Sequence, residues 1–290
     1  MAPGFSTEHH LGESSEVSRV IENLLERSGK QLSEHKSLAR HSTSEPATTL
    51  LVYNEEEPVA AAVLALHGDT WNIELLAEEQ NALGEMIAFD AAMVLTEGES
   101  VQLWEPARGA SVQLEEAISR YDLLRERSLL QLQRVLASNP PNPSDLEIRA
   151  FNASTDASSF LAANNAAFTG HPEQGVWSLS TLHERLSSPW FDPQLFLVHV
   201  EDDLVVAWCW CKVEVSVRPT VGEIYVIGTH PQAQGRGLGA QLLELGCAAM
   251  AKFGVESVEL FVESDNAPAL ALYERAGFTT VGQRRSWLFS

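Results

Sequence analysis

The sequence predicts two α/β domains in tandem, each a mixed sheet with helices, and three observations carry that prediction. The chain has 290 residues, about twice the roughly 100–150 of a common single domain. Ser138-Asn-Pro-Pro-Asn-Pro-Ser144 breaks it near the middle, because closely spaced prolines stop any helix and stiffen an extended linker. On both sides of the break, strand and helix patterns alternate in the same order around an acidic hairpin turn, as a mixed sheet requires. The expected division is residues 1–137, a linker at 138–145, and residues 146–290.

The second half is the clearer one. Leu146–Ala150 reads as a short strand, and helix Asp156–Phe168 follows with Ser154, Thr155 and Asp156 as cap candidates. A loop holding His171-Pro-Glu-Gln-Gly175 leads to a short helix near Leu179–Leu186. Leu195–Val200 and Leu204–Val213 form a hairpin through Glu201-Asp-Asp203. Gly222–Thr229 is a strand, and Leu238–Phe253 a helix with the apolar stripe Leu242, Leu245, Ala249 and Phe253. Ser257–Val262 is a strand, Ala267–Ala276 a helix closed by Gly277, and Thr279–Phe289 the last strand.

The first half repeats this order more faintly. Helices are expected over Ser15–Arg27 and near Leu32–Ala39. Strand Thr49–Tyr53, the turn Glu55-Glu-Glu57 and strand Val59–Leu66 make its hairpin. Strand Trp71–Ala77 precedes Gln80–Gly84, followed by helix Glu85–Leu95, strand Val101–Trp104, helix Val112–Leu124 and strand Leu129–Leu136. The pattern is that of a duplicated domain whose first copy has drifted.

Lys plus Arg total 19 against 40 Asp plus Glu, a net charge of −21 with His neutral. Such a field repels phosphate backbones and anionic lipid heads, so neither nucleic acid nor a membrane surface is an expected partner. A neutral or cationic small molecule fits better. Hydrophobic residues make up 44% and Trp numbers 7, enough for packed cores and too many for a disordered chain. Three cysteines are too few for a disulfide framework and lack zinc-site spacing. Cys209 and Cys211, two apart in a strand, point to one face and read as core thiols of a reducing compartment. The longest apolar runs, Val59–Leu66 and Leu204–Cys211, have 8 residues each, far short of the roughly 20 of a membrane span. The first ten residues lack a basic region followed by an apolar one, so no secretory signal is expected. The expectation is a cytoplasmic monomer that uses no metal.

Chemistry concentrates in Gln234-Gly-Arg-Gly-Leu-Gly239, between a strand and a helix. Main-chain N–H groups, unobstructed at glycine, can close around a phosphate, and the helix N-terminus adds its dipole. Gly235-x-Gly237-x-x-Ala240 also meets the dinucleotide fingerprint, with Glu259 about 20 residues on, where a ribose-binding acid belongs. That fingerprint sets its glycine turn directly after the strand, whereas here Thr229-His-Pro-Gln-Ala-Gln234 intervenes and Pro231 ends the strand early. A glycine-rich loop without ligand is the third reading.

Gln234-x-x-Gly237-x-Gly239 between strand and helix, then Asn266, Leu272-Tyr273 and Gly277-Phe278 in order and at matching spacing, resembles the GCN5-related N-acetyltransferase (GNAT) superfamily over Leu146–Ser290. The resemblance implies a loop that binds the pyrophosphate of acetyl-CoA, and two tandem GNAT domains. Asn165-Ala-Ala-Phe168 with His171-Pro-Glu-Gln-Gly175, Gly222-Glu-Ile-Tyr-Val-Ile-Gly228 and Val262-Glu-Ser-Asp-Asn266 resembles the mycothiol synthase family of tandem actinobacterial acetyltransferases. That implies acetyl transfer from acetyl-CoA to the cysteinyl amine of a cysteine–glucosamine–inositol pseudodisaccharide, giving mycothiol and CoA. The acceptor is neutral except for its amine, in keeping with the acidic chain.

The same resemblance implies residue roles. Glu223 takes the place of the general base; a cysteinyl α-amine with a pKa of roughly 7–8 needs no large shift to lose its proton. Tyr273 matches the residue that protonates the departing CoA thiolate. Glu173, Lys212, Glu223 and Phe261 map to acceptor-binding positions, Phe261 standing where the family has Tyr, and Glu34 matches a residue reaching the acceptor from the first half. Ile227, Gly228 and Thr229 would pair with the pantetheine arm and polarise the thioester carbonyl. Gln234, Gly235, Arg236, Gly237, Leu238, Gly239 and Ala240 would bind the pyrophosphate, Arg236 through its side chain. Asn266, Ala267, Pro268, Ala269, Leu270 and Ala271 would line the cofactor's other side.

In the first half, Gln80-Asn-Ala-Leu-Gly84 has one glycine and no arginine, and Trp71 stands near the place of Glu223. This half is therefore expected to be scaffold and pocket wall, with weak CoA binding through Leu75–Ala77 left open. Without the resemblance, each site residue has a plain structural reading: an exposed strand acid, a buried helix phenol, a snorkelling lysine. Two rival functions stand beside the first, an acetyltransferase for another small amine or peptide N-terminus and a non-catalytic acyl-CoA sensor. The joint presence of Glu223 and Tyr273 argues against the sensor, since binding requires neither.

Overall fold

Leu-Val-Val-Ala-Trp-Cys-Trp-Cys-Lys-Val sets bulky aromatics on one face and thiols on the other, and in the computed structural model it forms a strand buried over nearly its whole length. The structure describes residues 4–11, 15–27, 48–67, 69–77, 80–97, 99–104, 110–121, 123–136, 146–171, 174–213 and 221–289. Glu34, Glu173, the helix expected near Leu32–Ala39 and the linker at 138–145 lie outside the described residues. Among the described residues no helix is long and apolar enough to cross a membrane.

In chain order the described elements are β1 (Phe5–Leu11), α1 (Ser15–Arg27), β2 (Thr48–Asn54), β3 (Glu57–His67), β4 (Thr70–Ala77), α2 (Ala82–Leu95), β5 (Ser100–Trp104), α3 (Val112–Ser119) and β6 (Leu124–Val135). There follow β7 (Arg149–Ala150), α4 (Ala153–Ala167), α5 (Leu179–Leu186), β8 (Phe196–Glu201), β9 (Leu204–Val213), β10 (Val221–Thr229), α6 (Leu238–Ala251), β11 (Ser257–Glu263), α7 (Ala267–Arg275) and β12 (Thr279–Phe289). Contacts divide the chain into Met1–Leu130 with Gly282–Ser290, and Gln131–Val281. Both edges fall inside strands: residues 124–130 of β6 and 282–289 of β12 pack in the first unit, residues 131–135 and 279–281 in the second.

The first unit runs β1-β2-β3-β4-β5 and then the end of β12. Neighbours in β1 to β4 are antiparallel, whereas β4 and β5 are parallel from Thr70↔Ser100 to Glu74↔Trp104. Ala88, Phe89 and Ala92 of α2 join Leu50, Ala62, Ile73 and Leu75 in its core. The second unit runs β6-β11-β10-β9-β8-β7, antiparallel across β7 to β10 and parallel between β10 and β11. Its core is aromatic: Phe196 stacks on Trp210 at 4.3 Å and on Phe151 at 4.2 Å, while Phe160 meets Phe196 and Trp208 edge-on.

Several elements depart from the pattern in the sequence. β1 was not expected, because Phe-Ser-Thr-Glu-His-His-Leu is polar and only half-buried, as suits an edge strand. β6 opens at Leu124 rather than Leu129, and α3 stops at Ser119; the charged Leu-Arg-Glu-Arg start of β6 is exposed and shows no period of two. α4 starts at Ala153 with Asn152 as its cap, the Asn152 carboxamide oxygen accepting from Ser154 N at 3.0 Å. Asp156, expected among the caps, instead accepts Arg149 at 2.5 and 2.8 Å and the Asn152 N–H at 2.8 Å, and the guanidinium holds its carboxyl below the usual carboxylate range.

Candidate active site

The site is set by how β10 pairs. Its parallel register with β11 runs Val221↔Ser257, Gly222↔Val258, Glu223↔Glu259 and stops there, although β10 continues to Thr229 and β11 to Glu263. On its other side β10 stays paired with β9 to Thr229↔Ala207, with a bulge at Tyr225 between Ile224 and Val226. The strands β10 and β11 therefore part beyond Glu223. Ile227, Gly228 and Thr229 of β10 are half-buried and lie beyond the last position paired with β11.

Cross-strand neighbours share a face, so Lys212, Glu223 and Glu259 form a polar row across β9, β10 and β11. Lys212 is 7% exposed, and its Nζ lies 3.5 Å from Glu223 Oε2. Glu259 is 3% exposed and accepts from Gln131 Nε2 at 3.0 Å, extending the row to β6. This buried position ends the dinucleotide reading, since a ribose hydroxyl cannot reach an acid in mid-strand beside Glu223. Phe261, two residues along β11, shares the Glu259 face and is half-buried.

The loop from Gln234 to Gly237 is exposed and opens α6. Gly235 and Gly237 both have φ +76°, the left-handed region that disfavours a side chain, and a Cβ at either would meet no atom within 4 Å. Gly237 caps α6, and no acid lies in the first turn, so free N–H groups and the positive end of the helix face open space. These residues fit a phosphate anion. Arg236 is not turned to that space: its guanidinium holds both oxygens of Glu201, at the end of β8, at 2.5 and 2.9 Å. That contact brings the exposed Glu201 carboxyl down to about 2.

Behind the β10 edge, Gly228 lies against the Trp208 indole, which a Cβ there would overlap. On the far side of the loop, Gly239 faces Thr229 and Leu272 of α7, an added Cβ lying 3.7 Å from Thr229 Oγ1 and 3.8 Å from Leu272 Cδ2. Asn266 caps α7, its side-chain oxygen accepting from Ala269 N at 3.2 Å, so the exposed first turn runs Ala267 and Pro268 before the half-buried Ala269, Leu270 and Ala271. Tyr273 is 7% exposed, edge-on to Phe278, and burial pushes its phenol above the usual tyrosine range. Cys209, Cys211 and Cys247 are buried free thiols. The neighbouring Cys209 and burial raise Cys211, and burial pushes Cys247 up to about 12.

The first unit has the same strand order but a different local chemistry. α2 already begins at Ala82, so Gly84 lies inside the helix, where its missing Cβ lets Val59 and Ala60 approach. The first turn of α2 holds the buried Glu85, an acid where the second unit offers bare N–H groups. Leu75, Leu76 and Ala77 are fully buried. β4 carries Trp71 near its start, and its buried acid Glu74 is held by Arg284 at 3.0 Å.

Reading the sequence missed Glu259 as a neighbour of Glu223, and with it Gln131, Trp190, Tyr225 and Arg185. Register between strands far apart in sequence was the missing information. Only Glu259 carried a signal, an acid two residues before Phe261 in an apolar strand.

The profile of the acetyltransferase (GNAT) family matches residues 160–278. The chain is 36% identical over 288 residues to the mycothiol acetyltransferase of Mycobacterium leprae, an alignment covering 92% of this chain and 88% of that protein. With the mycothiol acetyltransferase of Geodermatophilus obscurus identity is 39% over 180 residues, 59% of this chain and 58% of the relative's length. Among solved structures, a tandem GNAT protein from the clavulanic acid biosynthesis pathway superimposes with a TM-score of 0.65 at 14% identity, covering 98% of each chain. At that identity the likeness concerns the fold.

Proposed function

The chain belongs to the mycothiol acetyltransferase family and has the tandem GNAT fold, and from that premise we propose how its second unit works. It is an acetyl-CoA-dependent N-acetyltransferase that acetylates the cysteinyl amine of the cysteine–glucosamine–inositol pseudodisaccharide, yielding mycothiol and CoA. One observation supports this assignment of residues above the rest: the β10–β11 register ends at Glu223, so an acid and a free strand edge adjoin the same gap.

Glu223 takes a proton from the acceptor ammonium, directly or through water, and frees the amine lone pair to attack the thioester carbonyl. Lys212 flanks that carboxylate and fixes where the acceptor meets it. Main-chain N–H groups at Ile227–Thr229 stabilise the oxyanion that forms. Tyr273, kept protonated by burial, gives its proton to the leaving sulfur as the oxyanion collapses and the C–S bond breaks; the second proton of the attacking nitrogen passes to solvent, from which Tyr273 is reprotonated. The main chain of Gln234–Ala240 and the α6 N-terminus hold the pyrophosphate, while Arg236, tied to Glu201, anchors the loop. Asn266–Ala271 line the opposite wall. Transfer is direct, because the three thiols are buried and two of them raised, the reverse of what a cysteine nucleophile needs. The first unit serves as scaffold and takes no part in the chemistry.

Mass spectrometry after incubation with acetyl-CoA and the pseudodisaccharide tests this reading. One added acetyl group with the thiol still titratable supports it. A product with a free amine and a blocked thiol would overturn it, because sulfur would then have taken the acetyl group.

A further inference from the structure

Outward from Glu223, cations and aromatic rings alternate. The Lys212 ammonium, 3.5 Å from Glu223, lies 5.6 Å from the centre of the Trp190 ring. Trp190 in turn meets Tyr225 edge-on at 4.8 Å and Trp210 at 5.8 Å between centroids. The Tyr225 hydroxyl accepts a hydrogen bond from Arg185, and the Arg185 guanidinium lies over the Trp177 ring at 4.3 Å. The series joins β9, β10, α5 and the segment after α5. Tyr225 is the residue that the β10 bulge turns out of the ladder, which aims it at Trp190.

We propose that Trp190 is a positioning residue that holds the Lys212 ammonium beside Glu223, so that acceptor binding depends on a ring that performs no chemistry. The proposal rests on the reading of Glu223 and Lys212 as acceptor residues. A lysine stem has four rotatable carbons and a compact charge, and the 3.5 Å separation is longer than an ordinary charge-assisted hydrogen bond. The Trp190 ring adds to the hold on the ammonium, because its quadrupole attracts the cation of a side chain that is 7% exposed. Tyr225 and Trp210 pack directly against Trp190, and Arg185 in turn holds Tyr225, so the ring is braced on its far side.

Steady-state kinetics on the full chain with W190A, W190L, W190F, K212M and the double variant W190A/K212M test the proposal. W190A and W190L should each lower acceptor kcat/KM by about 3–30-fold, the range of a desolvated cation–π contact, and leave the KM for acetyl-CoA unchanged. W190F, which keeps a ring face, should recover most of the loss. Adding W190A to K212M should cost nothing more. W190L leaves a smaller void than W190A, so it decides the question if W190A does not fold. Losses that multiply in the double variant would overturn the proposal, since the ring would then act without Lys212. Equal rises in the KM of both substrates would also overturn it, by showing a general loosening. If K212M alone has no effect, the acceptor role of Lys212 fails first and the proposal falls with it.

Discussion

Glu223 and Glu259 face each other at the last paired position of β10 and β11, and the gap that holds the proposed chemistry opens one residue beyond them. Two carboxylates on one face would repel, but each has its own partner, Lys212 for Glu223 and Gln131 for Glu259. The cation on one flank and the amide on the other leave Glu223 as the acid open to the gap, with Glu259 sealed behind it. The proposed base is thus defined by where the sheet splits as much as by its residue type.

Replacing this acid should separate binding from turnover. Glu223→Gln keeps the shape of the side chain and removes its proton affinity, and general-base loss commonly costs about 10²–10⁴ in rate. The expected result is a fall in kcat of that order with the KM for acetyl-CoA nearly unchanged, because the proposed role of the carboxylate is toward the acceptor amine. Wild-type turnover at saturation, with chemistry shown to be limiting, would remove Glu223 from the mechanism.

Tyr273→Phe should be milder. Burial raises the phenol above the usual tyrosine range, so the hydroxyl stays protonated through neutral and moderately alkaline pH and its role is donation. Water can replace a buried donor in part, so kcat should fall less than in Glu223→Gln. The raised value also means that Tyr273 sets no alkaline limit on activity below pH 10. An alkaline limb present in the wild type and abolished in Tyr273→Phe would contradict this.

How much of this was legible beforehand follows from range. The loop Gln234–Gly239, the hairpin through Glu201-Asp-Asp203 and the helix over Leu179–Leu186 stood out because turn chemistry and apolar period are local, and the structure has them where expected. The Asn152 cap, the early start of α2 at Ala82 and strand β1 were missed, since several residues there meet the same local rule or none does. Arg236 shows a different limit. A cation in a phosphate loop reads as a phosphate ligand, and only the folded hairpin reveals that Glu201 already holds it. The Lys212–Glu223 pair likewise needed register, which no pattern within either strand contains.

The two glycine loops should respond oppositely to bulk. Gly237 sits at φ +76° with open space beyond its Cα, so Gly237→Trp fills the anion site and forces the backbone from the left-handed region. Re-forming that conformation costs about 1–2 kcal/mol, equivalent to roughly 5–30-fold in acetyl-CoA affinity before the ring's own obstruction is counted. Leu83, 38% exposed in the first turn of α2, lies at the start of the equivalent helix of the first unit, where Glu85 already opposes an anion. Leu83→Trp should leave turnover and the KM for acetyl-CoA near wild type. Equal loss from both variants would make the first loop a working cofactor site.

Arg134 should matter for stability although it lies ahead of the proline-rich break. The end of β6 from Gln131 packs in the second unit: Leu136 N donates to Glu256 O at 2.8 Å, and Gln131 Nε2 donates to Glu259. Arg134 grips Glu244 of α6 at 2.5 and 2.9 Å, donates to Ala276 O at the end of α7 at 2.6 Å, and stacks over Phe278 at 5.6 Å. It thereby ties together the two helices that flank the cofactor loop. Removing a half-buried charged donor of this kind costs about 1.5–3 kcal/mol, so Arg134→Met should lower the melting temperature by a few degrees. A fragment of residues 146–290, the natural cut by sequence, loses Gln131, Arg134 and Leu136 together and should melt far below the full chain or without cooperativity. Calorimetry of the variant and the fragment checks both statements. A fragment as stable as the full chain would show that residues 131–136 contribute nothing to the second unit.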